Sequence, residues 1–472
     1  MKHWTLALGI ILFAGCAHFV PQPLSPDKTA AELDARRLDD AGLKKFLEQN
    51  SGHAITAWPK TQWDFRELTL VAFYFHPDLE VARAQWLVAQ GGLKTAGARP
   101  NPSVSLSPSY DNQIPFNYSP WLIPVTFDMP LETAGKRSKR LAEAEQVEES
   151  ARYAFINAAW QVRSGVRSSL LEFTLAGRRA GLLQNEFSEQ KEIVKLLQQR
   201  LDAGEISRPE LTLAEIALHR TQLDLSDAEA RKSDARSHLA EALGVTEAAL
   251  AGEKLEPDFS RPEIRQLTSA EARQAALRSR ADILGALADY AAAEADLRLE
   301  IAKQYPDLQA GPAYAWNNGN AGDNQWGLGA TLTLPVLDQN QGPIAEAEAR
   351  RALAAAKFVA LQAQVIGEID RAVAGFRVAR EQWQTGNELL TSEQRQQKSA
   401  EAQIQAGASD RLDGLNAELE LSNAELGRLD NEARLQTAQA ALEDALQLPA
   451  DSLSAVIEKI SMESPNAKER QR

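Results

Sequence analysis

The sequence predicts a mainly α-helical fold that carries a smaller set of β-strands and arose by tandem duplication. The second half of the chain repeats the first at a nearly constant offset. Each half contains one very long helical segment without proline, preceded by short alternating segments that proline, glycine and asparagine bound. Because 472 residues exceed what one hydrophobic core usually organises, we expect an elongated molecule.

The N-terminus has the pattern of a secretory signal peptide over residues 1–15. Lys2 supplies a positive charge, residues 4–13 form an apolar run too short to span a membrane, and Ala14-Gly15-Cys16 follows. Cys16 is the sole cysteine, and its setting resembles the lipobox of bacterial lipoproteins, with Phe13 where leucine is usual. We favour lipidation of Cys16 as the first mature residue. The alternative is a plain signal peptide cleaved nearby, with Cys16 removed.

Composition and charge exclude several functional classes. The net charge of -14 and the absence of a basic cluster interleaved with aromatic residues argue against a nucleic-acid partner. The 6 histidines are scattered without ligand spacing, and no phosphate loop or nucleophile motif is present, so the sequence predicts no enzyme, no cofactor and no metal site. The 3 methionines also argue against a soft-metal relay.

The duplication is visible in collinear matches between the two halves. Pro102 corresponds to Pro306 at an offset of 204 (306 minus 102), and Gly204 corresponds to Gly407 at an offset of 203 (407 minus 204). Each half has the same order of parts: a helix, a strand pair, a long helix, a glycine-containing reversal and a return helix. The predicted regions are a lipidated N-terminal segment at 16–64, repeats at 65–247 and 271–449, a linker or equatorial region at 248–270, and an equatorial segment or tail at 450–472.

Coiled-coil-like periodicity marks the helical hairpins, which are predicted at about 135–245 and 343–447. A helix from residue 141 to 201 would be roughly 90 Å long at about 1.5 Å per residue. No compact domain needs helices of that length. In the first long helix the apolar stripe has spacings of 4, 4 and 3 residues: Val162, Val166, Leu170 and Phe173.

Strands are predicted before each long helix, at about 103–129 and 307–334. No run of 18 or more apolar residues follows Cys16, so we expect no transmembrane helix, and any membrane crossing must use these strands. The alternation of small or polar with apolar residues suits a barrel wall, and it suits equally a soluble hairpin packed on the helices. We expect prolines at strand ends or edges. The clearest alternation pairs Gly327, Gly329, Thr331 and Thr333 with Leu328, Ala330, Leu332 and Leu334.

Short motifs in both halves carry a resemblance to a known family. Arg99-Pro100-Asn101-Pro102 precedes the first strand, and Asp128-Met129-Pro130-Leu131-Glu132 with Gly135-Lys136-Arg137 leads into the first long helix. Leu334-Pro335-Val336 and Asn340-Gln341-Gly342 lead into the second. In this order and spacing they resemble the TolC-like outer membrane factor family over residues 65–449, and they look most like its heavy-metal and cation efflux branch.

The resemblance implies a trimeric TolC-like α/β-barrel, mainly α with a membrane β-barrel portion. In that family three copies pool four strands each into a twelve-strand barrel, and twelve long helices form a tunnel across the periplasm. Four strands alone would leave open edges with unpaired backbone groups in outer-membrane lipid, which gives a physical reason to expect a homotrimer.

The implied function is a passive exit duct of a tripartite efflux system for metal cations or drugs. Its implied partners are a periplasmic adaptor (membrane fusion protein) and an inner-membrane efflux pump. The alternative is a non-channel periplasmic coiled-coil lipoprotein, an adaptor or a spacer. An adaptor would have one helical hairpin between separate β-domains, whereas this chain has two hairpins in tandem, so we favour the duct.

The helix reversals are predicted at two glycine turns. Each glycine supplies the left-handed backbone that ends a helix, and a serine, or Asp410 in the second half, can cap the return helix. A purely structural hairpin explains these residues. In the resembling family the same turns form the periplasmic tip that docks the adaptor, which implies that role for Gly204, Ser207, Gly407 and Ser409.

Carboxylates beside these turns are the candidate channel gate. Asp410 and Asp413 lie at i and i+3, so threefold symmetry would gather them into rings that select cations and raise the carboxylate pKa values by mutual repulsion. The resemblance assigns the gate to Asp413, whereas Asn416 occupies the position of a second gate aspartate. Glu210 is the matching residue of the first half. The alternative for such residues is a solvated charged face.

Overall fold

The fold is mainly helical with a small set of strands, which confirms the predicted fold class. The predicted signal peptide and Cys16 lie outside the described residues. The computed structural model describes residues 18–51, 54–110, 112–113, 120–256, 270–317, 324–448 and 456.

The first half begins with short elements and ends in a helical hairpin. The short elements are α1 (Pro26–Asp34), α2 (Ala41–Ser51), β1 (Gln62–Asp64), α3 (Phe65–Phe75) and α4 (Pro77–Gly97). The strands β2 (Ser103–Leu106), β3 (Ser109–Tyr110) and β4 (Trp121–Leu131) follow. The hairpin consists of the long helix α5 (Lys136–Asp202) and the return helix α6 (Arg208–Leu243), and β5 (Lys254–Glu256) comes next.

The second half has the same order of a helix, strands, a long helix and a return helix. The long helices α5 and α9 have 67 and 65 residues, so each is about 100 Å long at about 1.5 Å per residue. The elements are α7 (Ala270–Ser279), α8 (Ala281–Ala302), β6 (Leu308–Asn317), β7 (Gln325–Leu332), α9 (Gln341–Gln405) and α10 (Arg411–Leu446).

The long helices pack side by side with α5 in the middle. One part of α5 packs between α4 and α8, and α8 in turn packs on α9. The part nearer the reversal packs between α6 and α10, and α10 also packs on α9. Helices α4 and α6 therefore lie on one side of this arrangement and α9 lies on the other.

The predicted apolar stripe of α5 is buried except at Phe173, which is half-buried against the same core. Val162, Val166 and Leu170 contribute to a core that also contains Trp63 from β1 and Leu239 from α6. A second core joins α9 and α10. It contains Val365, Ile369, Phe376, Leu442 and Leu446.

The strands form one antiparallel sheet in the order β2–β4–β6–β7, with β3 also paired to β4. Val125 of β4 lies opposite Tyr314 of β6, and Tyr314 lies opposite Trp326 of β7. The pairing of β4 with β6 therefore joins the two halves of the chain. Among the described strands, β2 and β3 at one edge and β7 at the other have no further partner.

The prolines of β4 follow the prediction only in part. Pro130 is the last but one residue of the strand, as predicted, whereas Pro124 lies inside it, in the gap between the residues that pair with β3 and those that pair with β2. Each lacks an N–H donor, but the carbonyl of Pro124 still accepts a hydrogen bond from the N–H of Ser107 (3.3 Å). The sheet tolerates these prolines because only the donor is lost.

Segments without strong periodicity form a peripheral layer on the helices. β1 pairs in parallel with β5, and α2 packs on α3. Trp63 is fully buried there and its Nε1–H donates to Glu253 (3.0 Å). The guanidinium of Arg36 donates to the carbonyls of Phe75 and Gly244 (2.6 Å each). This layer therefore fastens the N-terminal segment to the ends of α3 and α6.

Of the helices in the described ranges, α9 is long and apolar enough to cross a membrane by length and composition. Its most apolar 18-residue window has a mean hydropathy of 1.3, although no uninterrupted apolar run of that length occurs in the sequence. Only 11% of that window is buried within the chain. Because α9 also packs along α8 and α10, it is an integral part of the helical layer.

Candidate functional site

The two faces of the sheet differ in polarity. The apolar face is exposed, with Leu328 90% and Val104 67% accessible. It is not packed on the helices, as the soluble-hairpin alternative would require, and its alternation is that of a barrel wall. The apolar face carries Val104, Leu106, Val125, Phe127, Met129, Leu131, Tyr314, Trp326, Leu328 and Leu332. The polar face carries Ser103, Ser105, Thr126, Asp128, Gln309, Gly311, Gly327, Gly329 and Thr331.

Aromatic residues gather at the end of the sheet that lies away from the helices. The rings of Tyr110 and Trp121 are 5.1 Å apart, and those of Tyr314 and Trp326 are 4.6 Å apart. Trp316 lies on the same face, opposite Ile123. Aromatic girdles of this kind lie at the boundary between hydrocarbon and water in membrane barrels.

The two helix reversals have the same backbone hydrogen bonds. Gly204 and Gly407 have positive φ values of 75° and 74°, as the sequence predicted. In the first turn the N–H of Glu205 donates to the carbonyl of Arg200 (2.8 Å), and in the second the N–H of Ala408 donates to the carbonyl of Gln403 (2.8 Å). Both are Schellman ends, in which a left-handed residue satisfies the last helical carbonyls.

Each predicted gate carboxylate is engaged in a helix N-terminus. The carboxylate of Glu210 accepts hydrogen bonds from the N–H (3.1 Å) and the hydroxyl (2.6 Å) of Ser207, which is the N-cap residue of α6. These bonds lower the pKa of Glu210 from its usual value. A capping role for Glu210 is therefore observed in the first half.

In the second half, Asp410 is the N-cap residue of α10. Its carboxylate accepts from the N–H groups of Leu412 (2.8 Å) and Asp413 (3.0 Å). Asp413 in turn accepts from the hydroxyl of Ser409 (2.6 Å) and the N–H of Asp410 (3.3 Å). Of the two capping candidates, Asp410 and not Ser409 is thus the cap.

Ion pairs tie the N-terminus of α10 to the end of α5. Arg200 pairs with Asp410, and Arg411 pairs with Glu192 (3.4 Å) and Glu418 (3.0 Å). Arg200, together with the cap hydrogen bonds, lowers the pKa of Asp410. This direction is opposite to the rise expected for a ring of like charges, because the chain by itself holds one copy of Asp410. All these side chains are partly exposed, so each pair contributes little stability.

Asp413 faces a groove between the last turns of α9 and the first turns of α10. The groove has a volume of about 490 Å³, and Asp413, Asn416 and Glu420 line it on the α10 side. Gln396 and Gln403 line it on the α9 side. Within the described residues, no three His, Cys, Asp or Glu side chains are grouped as metal ligands would be.

The structure brings together tip residues that sequence reasoning did not connect. Arg200 and Asp410 are 210 positions apart (410 minus 200), and Arg411 and Glu192 are 219 apart (411 minus 192). No local pattern links such residues. The one usable signal was the duplication, because it indicated that both hairpins reverse at the same level.

Comparison with known proteins identifies the family. The family model "Outer membrane efflux protein" matches residues 75–245 and 272–447, and so includes both long hairpins. The cobalt-zinc-cadmium resistance protein CzcC of Cupriavidus metallidurans is 25% identical over 352 residues, which span 74% of this chain and 81% of that protein.

Solved structures have the same fold. The CmeC outer membrane channel of Campylobacter jejuni superposes with a TM-score of 0.67 at 16% identity, over 95% of this chain and 98% of that chain. The outer membrane protein VceC of Vibrio cholerae superposes with a TM-score of 0.66 at 20% identity, over 82% of this chain and 97% of that chain. With the match to both halves, these likenesses lead to one conclusion: the chain belongs to the outer membrane efflux protein family.

Proposed function

We propose that this chain is the outer-membrane exit duct of a tripartite efflux system, closed by three copies. The observation that carries the proposal is the sheet, which has an apolar face, a small and polar face, and two edges without partners among the described residues. In lipid each unpaired backbone group would be costly, so the edges must pair with other copies. Family members are trimers that work with periplasmic adaptors and inner-membrane pumps.

The helical layer supports the same assembly. Its outer helices α4, α6 and α9 expose large apolar side chains that water would not favour. If α9 of one copy packs against α4 and α6 of the next, these side chains become buried and the layer closes into a tunnel. The exposed residues are Val81 and Val88 on α4, Leu213 and Leu223 on α6, and Leu353, Val359 and Val378 on α9.

The two turns are the proposed docking points of the adaptor. Gly204 and Gly407 have open space around them, since a Cβ atom added to either would have no neighbouring atom within 4 Å. Ser207 and Ser409 lie beside them and are already hydrogen-bonded to carboxylates. A hydrogen-bonded and uncovered turn is suited to docking, because the more ordered a turn is before binding, the less conformational entropy binding costs.

The proposed gate is formed by Asp413, with Asp410 and Glu210 at the same level. Asp413 is exposed and lines the groove toward Asn416 and Glu420, so its charge is available to passing cations. Asp410 contributes through its pairing with Arg200, which fastens the start of α10 to α5. Three copies of each group around the axis would restrict the opening and favour cations over anions.

Metal cations are the proposed cargo class, and Cys16 is the proposed lipid anchor. The cargo is supported by the similarity to CzcC, whose name describes cobalt, zinc and cadmium resistance. The anchor is supported by the lipobox-like setting of Cys16. A Cys16→Ser variant should fail to incorporate labelled fatty acid, and equal labelling of both proteins would contradict the anchor.

Planar-bilayer recording on the purified trimer tests the duct. We expect wild-type pores of low conductance, and higher conductance in Asp413→Ala and Arg200→Ala, because each change weakens the closed tip. Arg208→Ala is the matched control, because Arg208 is at the start of the other return helix and forms no salt bridge among the described residues. The absence of any pore in all variants would contradict the duct. Unchanged conductance in Asp413→Ala would remove Asp413 from the gate.

A further inference from the structure

Asp128 is the one charged residue on the described strands β2, β3, β4, β6 and β7 of the sheet. It lies in β4 on the small and polar face, whereas its neighbours Phe127 and Met129 belong to the apolar face. In a membrane barrel a charge is destabilising on the lipid side and acceptable on the water side. The position of Asp128 therefore agrees with a water-filled interior.

The surroundings of Asp128 leave its carboxylate open. Ser103 of β2 lies opposite it. The β4–β6 pairs on either side of it, Thr126 with Ala313 and Met129 with Ala310, bring Asp128 beside Gly311, which pairs with Gly329 of β7. Position 311 does not accept a residue with a side chain, because a Cβ atom there would be 1.5 Å from the carbonyl oxygen of Phe127. Within the described part of the chain, the carboxylate of Asp128 forms no hydrogen bond or salt bridge. No neighbouring cation among these residues neutralises its charge.

We propose that Asp128 makes the interior of the barrel selective for cations, as a second selectivity element separate from the tip. This inference rests on the proposed function, because closure by three copies is what turns the polar face into a lumen. A twelve-strand barrel with strands about 4.8 Å apart and tilted by about 40° has a backbone radius of about 12 Å. The three carboxylates would then lie about 9 Å from the axis and about 15 Å apart.

Screening decides how far this charge acts. At about 0.15 M salt the Debye length is about 8 Å, so the potential on the axis is reduced but not abolished. At about 0.01 M it is about 30 Å, and the three charges act together across the lumen. At about 1 M it is about 3 Å, and no effect should remain. The proposed effect is therefore strongly dependent on salt.

A local measurement separates Asp128 from the carboxylates of the tip. Thr126 is two residues away on the same face, so Thr126→Cys provides a thiol close to Asp128. The trimer is treated with a cationic and an anionic methanethiosulfonate reagent, and the peptide that contains residue 126 is analysed by mass spectrometry. In about 0.01 M salt we expect Asp128→Asn to lower the ratio of cationic to anionic reaction rates about five- to tenfold. In about 1 M salt the two proteins should react alike.

The outcomes distinguish this inference from the proposed duct. Phe127→Cys is the matched control, because it lies on the apolar face and should be shielded from charged reagents in lipid nanodiscs. If Thr126→Cys is unreactive and Phe127→Cys is reactive, the polar face is not a lumen and the duct itself is wrong. If Thr126→Cys reacts but the rate ratio is the same with Asp128→Asn, the duct stands and the role of Asp128 is overturned.

A rescue experiment excludes a merely structural role. In planar bilayers under a salt gradient, Asp128→Asn should reduce the cation-to-anion permeability ratio about threefold at low salt. The double variant Asp128→Asn/Thr126→Asp moves the charge by two residues on the same face and should restore the preference. A loss that the double variant does not restore would contradict an electrostatic role.

Discussion

The long helices α5 and α9 occupy matching places in the two halves, yet the chain buries them very differently. Both keep the same inner stripe: Val162 and Val166 of α5 correspond to Val365 and Ile369 of α9, and all four are buried. Fifteen residues of α5 are buried, whereas only six residues of α9 are. Duplication thus preserved one face of the helix and allowed the other to diverge.

The difference follows from position in the layer. The second face of α5 meets α8 and α10, where Arg167 is buried against Glu443, and Trp160 is buried within the first core. Their counterparts on α9, Ala363 and Asp370, are exposed. A face of small and apolar residues without cover explains why α9 contains an apolar window in an otherwise polar helix. It also indicates that another copy of the chain completes the packing of α9.

The largest expected effect comes from the charged residues on the second face of α5. Glu443 of α10 is 1% exposed and pairs with Arg167 and Arg163 of α5, whereas Glu368 of α9 is partly exposed and pairs with the buried Arg280, which also pairs with Asp282. Breaking a buried pair costs about 3–5 kcal/mol, so Glu443→Ala should lower the unfolding free energy of the chain by about that amount. Glu368→Ala should cost clearly less, because Glu368 is partly exposed and Arg280 keeps its pair with Asp282. Thermal and denaturant unfolding in detergent would measure both, and equal losses would contradict the comparison.

Replacing a large apolar side chain by alanine should give the next largest effect. A buried and an exposed leucine should show which residues stabilise the single chain and which stabilise the trimer. Leu170 of α5 is fully buried, so Leu170→Ala should destabilise the chain by about 2–5 kcal/mol. Leu353 of α9 is 55% exposed in the chain, and Leu353→Ala should leave the unfolding free energy of the monomer within about 0.5 kcal/mol of wild type.

For trimer assembly, Leu353→Ala should have a larger effect than Leu170→Ala. Leu353→Ala should weaken the trimer, so that it dissociates already at higher protein concentrations than the wild type does. Native mass spectrometry can follow this dissociation. If Leu353→Ala destabilised the isolated chain as much as Leu170→Ala, α9 would not be an edge helix.

The smallest expected effect is the pH response of the tip. Arg200 lowers the pKa of Asp410 in the folded protein. A lowered folded-state pKa contributes stability above the ordinary Asp value of about 3.9, and this stability is lost as pH falls through the lowered value. If the pairing with Arg200 outweighs the repulsion between the three copies of Asp410 in the trimer, wild-type conductance should stay constant down to about pH 4 and rise only below it. In Arg200→Gln the rise should begin at a higher pH, and an identical onset would mean that the pair does not hold the tip.

The long helices and strands could be predicted from local periodicity. Contacts between residues that are far apart in the sequence could not. The stripe from Val162 to Leu170 and the alternation from Gly327 to Thr331 are repeated many times, so tertiary context does not override them. The pairing of β1 with β5 joins three-residue strands almost 200 positions apart, which no local pattern could indicate. Pro124 lies inside β4 because the neighbouring strands β3 and β2 leave a gap beside it, and its carbonyl still accepts a hydrogen bond there.

The candidate site likewise contains residues whose positions could be predicted from the sequence and contacts that required the structure. The turn glycines were predictable because a reversal between two helices requires a left-handed residue. The candidate gate carboxylates lie beside the turns and form capping bonds there, and their role in a gate stays a prediction. The pairs of Arg200 with Asp410 and of Arg411 with Glu192 depend on how two hairpins dock, and therefore required the structure.

The capping bonds at Asp410 and Asp413 also constrain how the passage can widen. If Asp410 or Asp413 swung aside as a single side chain, its capping bonds would break and the first turn of α10 would fray, so we expect α10 to move as a rigid body. Its 36 residues span about 54 Å, and the end away from the turn is held in the helical layer by the buried Glu443. A tilt of α10 by about 5° around Glu443 would move the Asp410 end of the helix by about 5 Å. Small adjustments deep in the helical layer would thus be magnified at the tip.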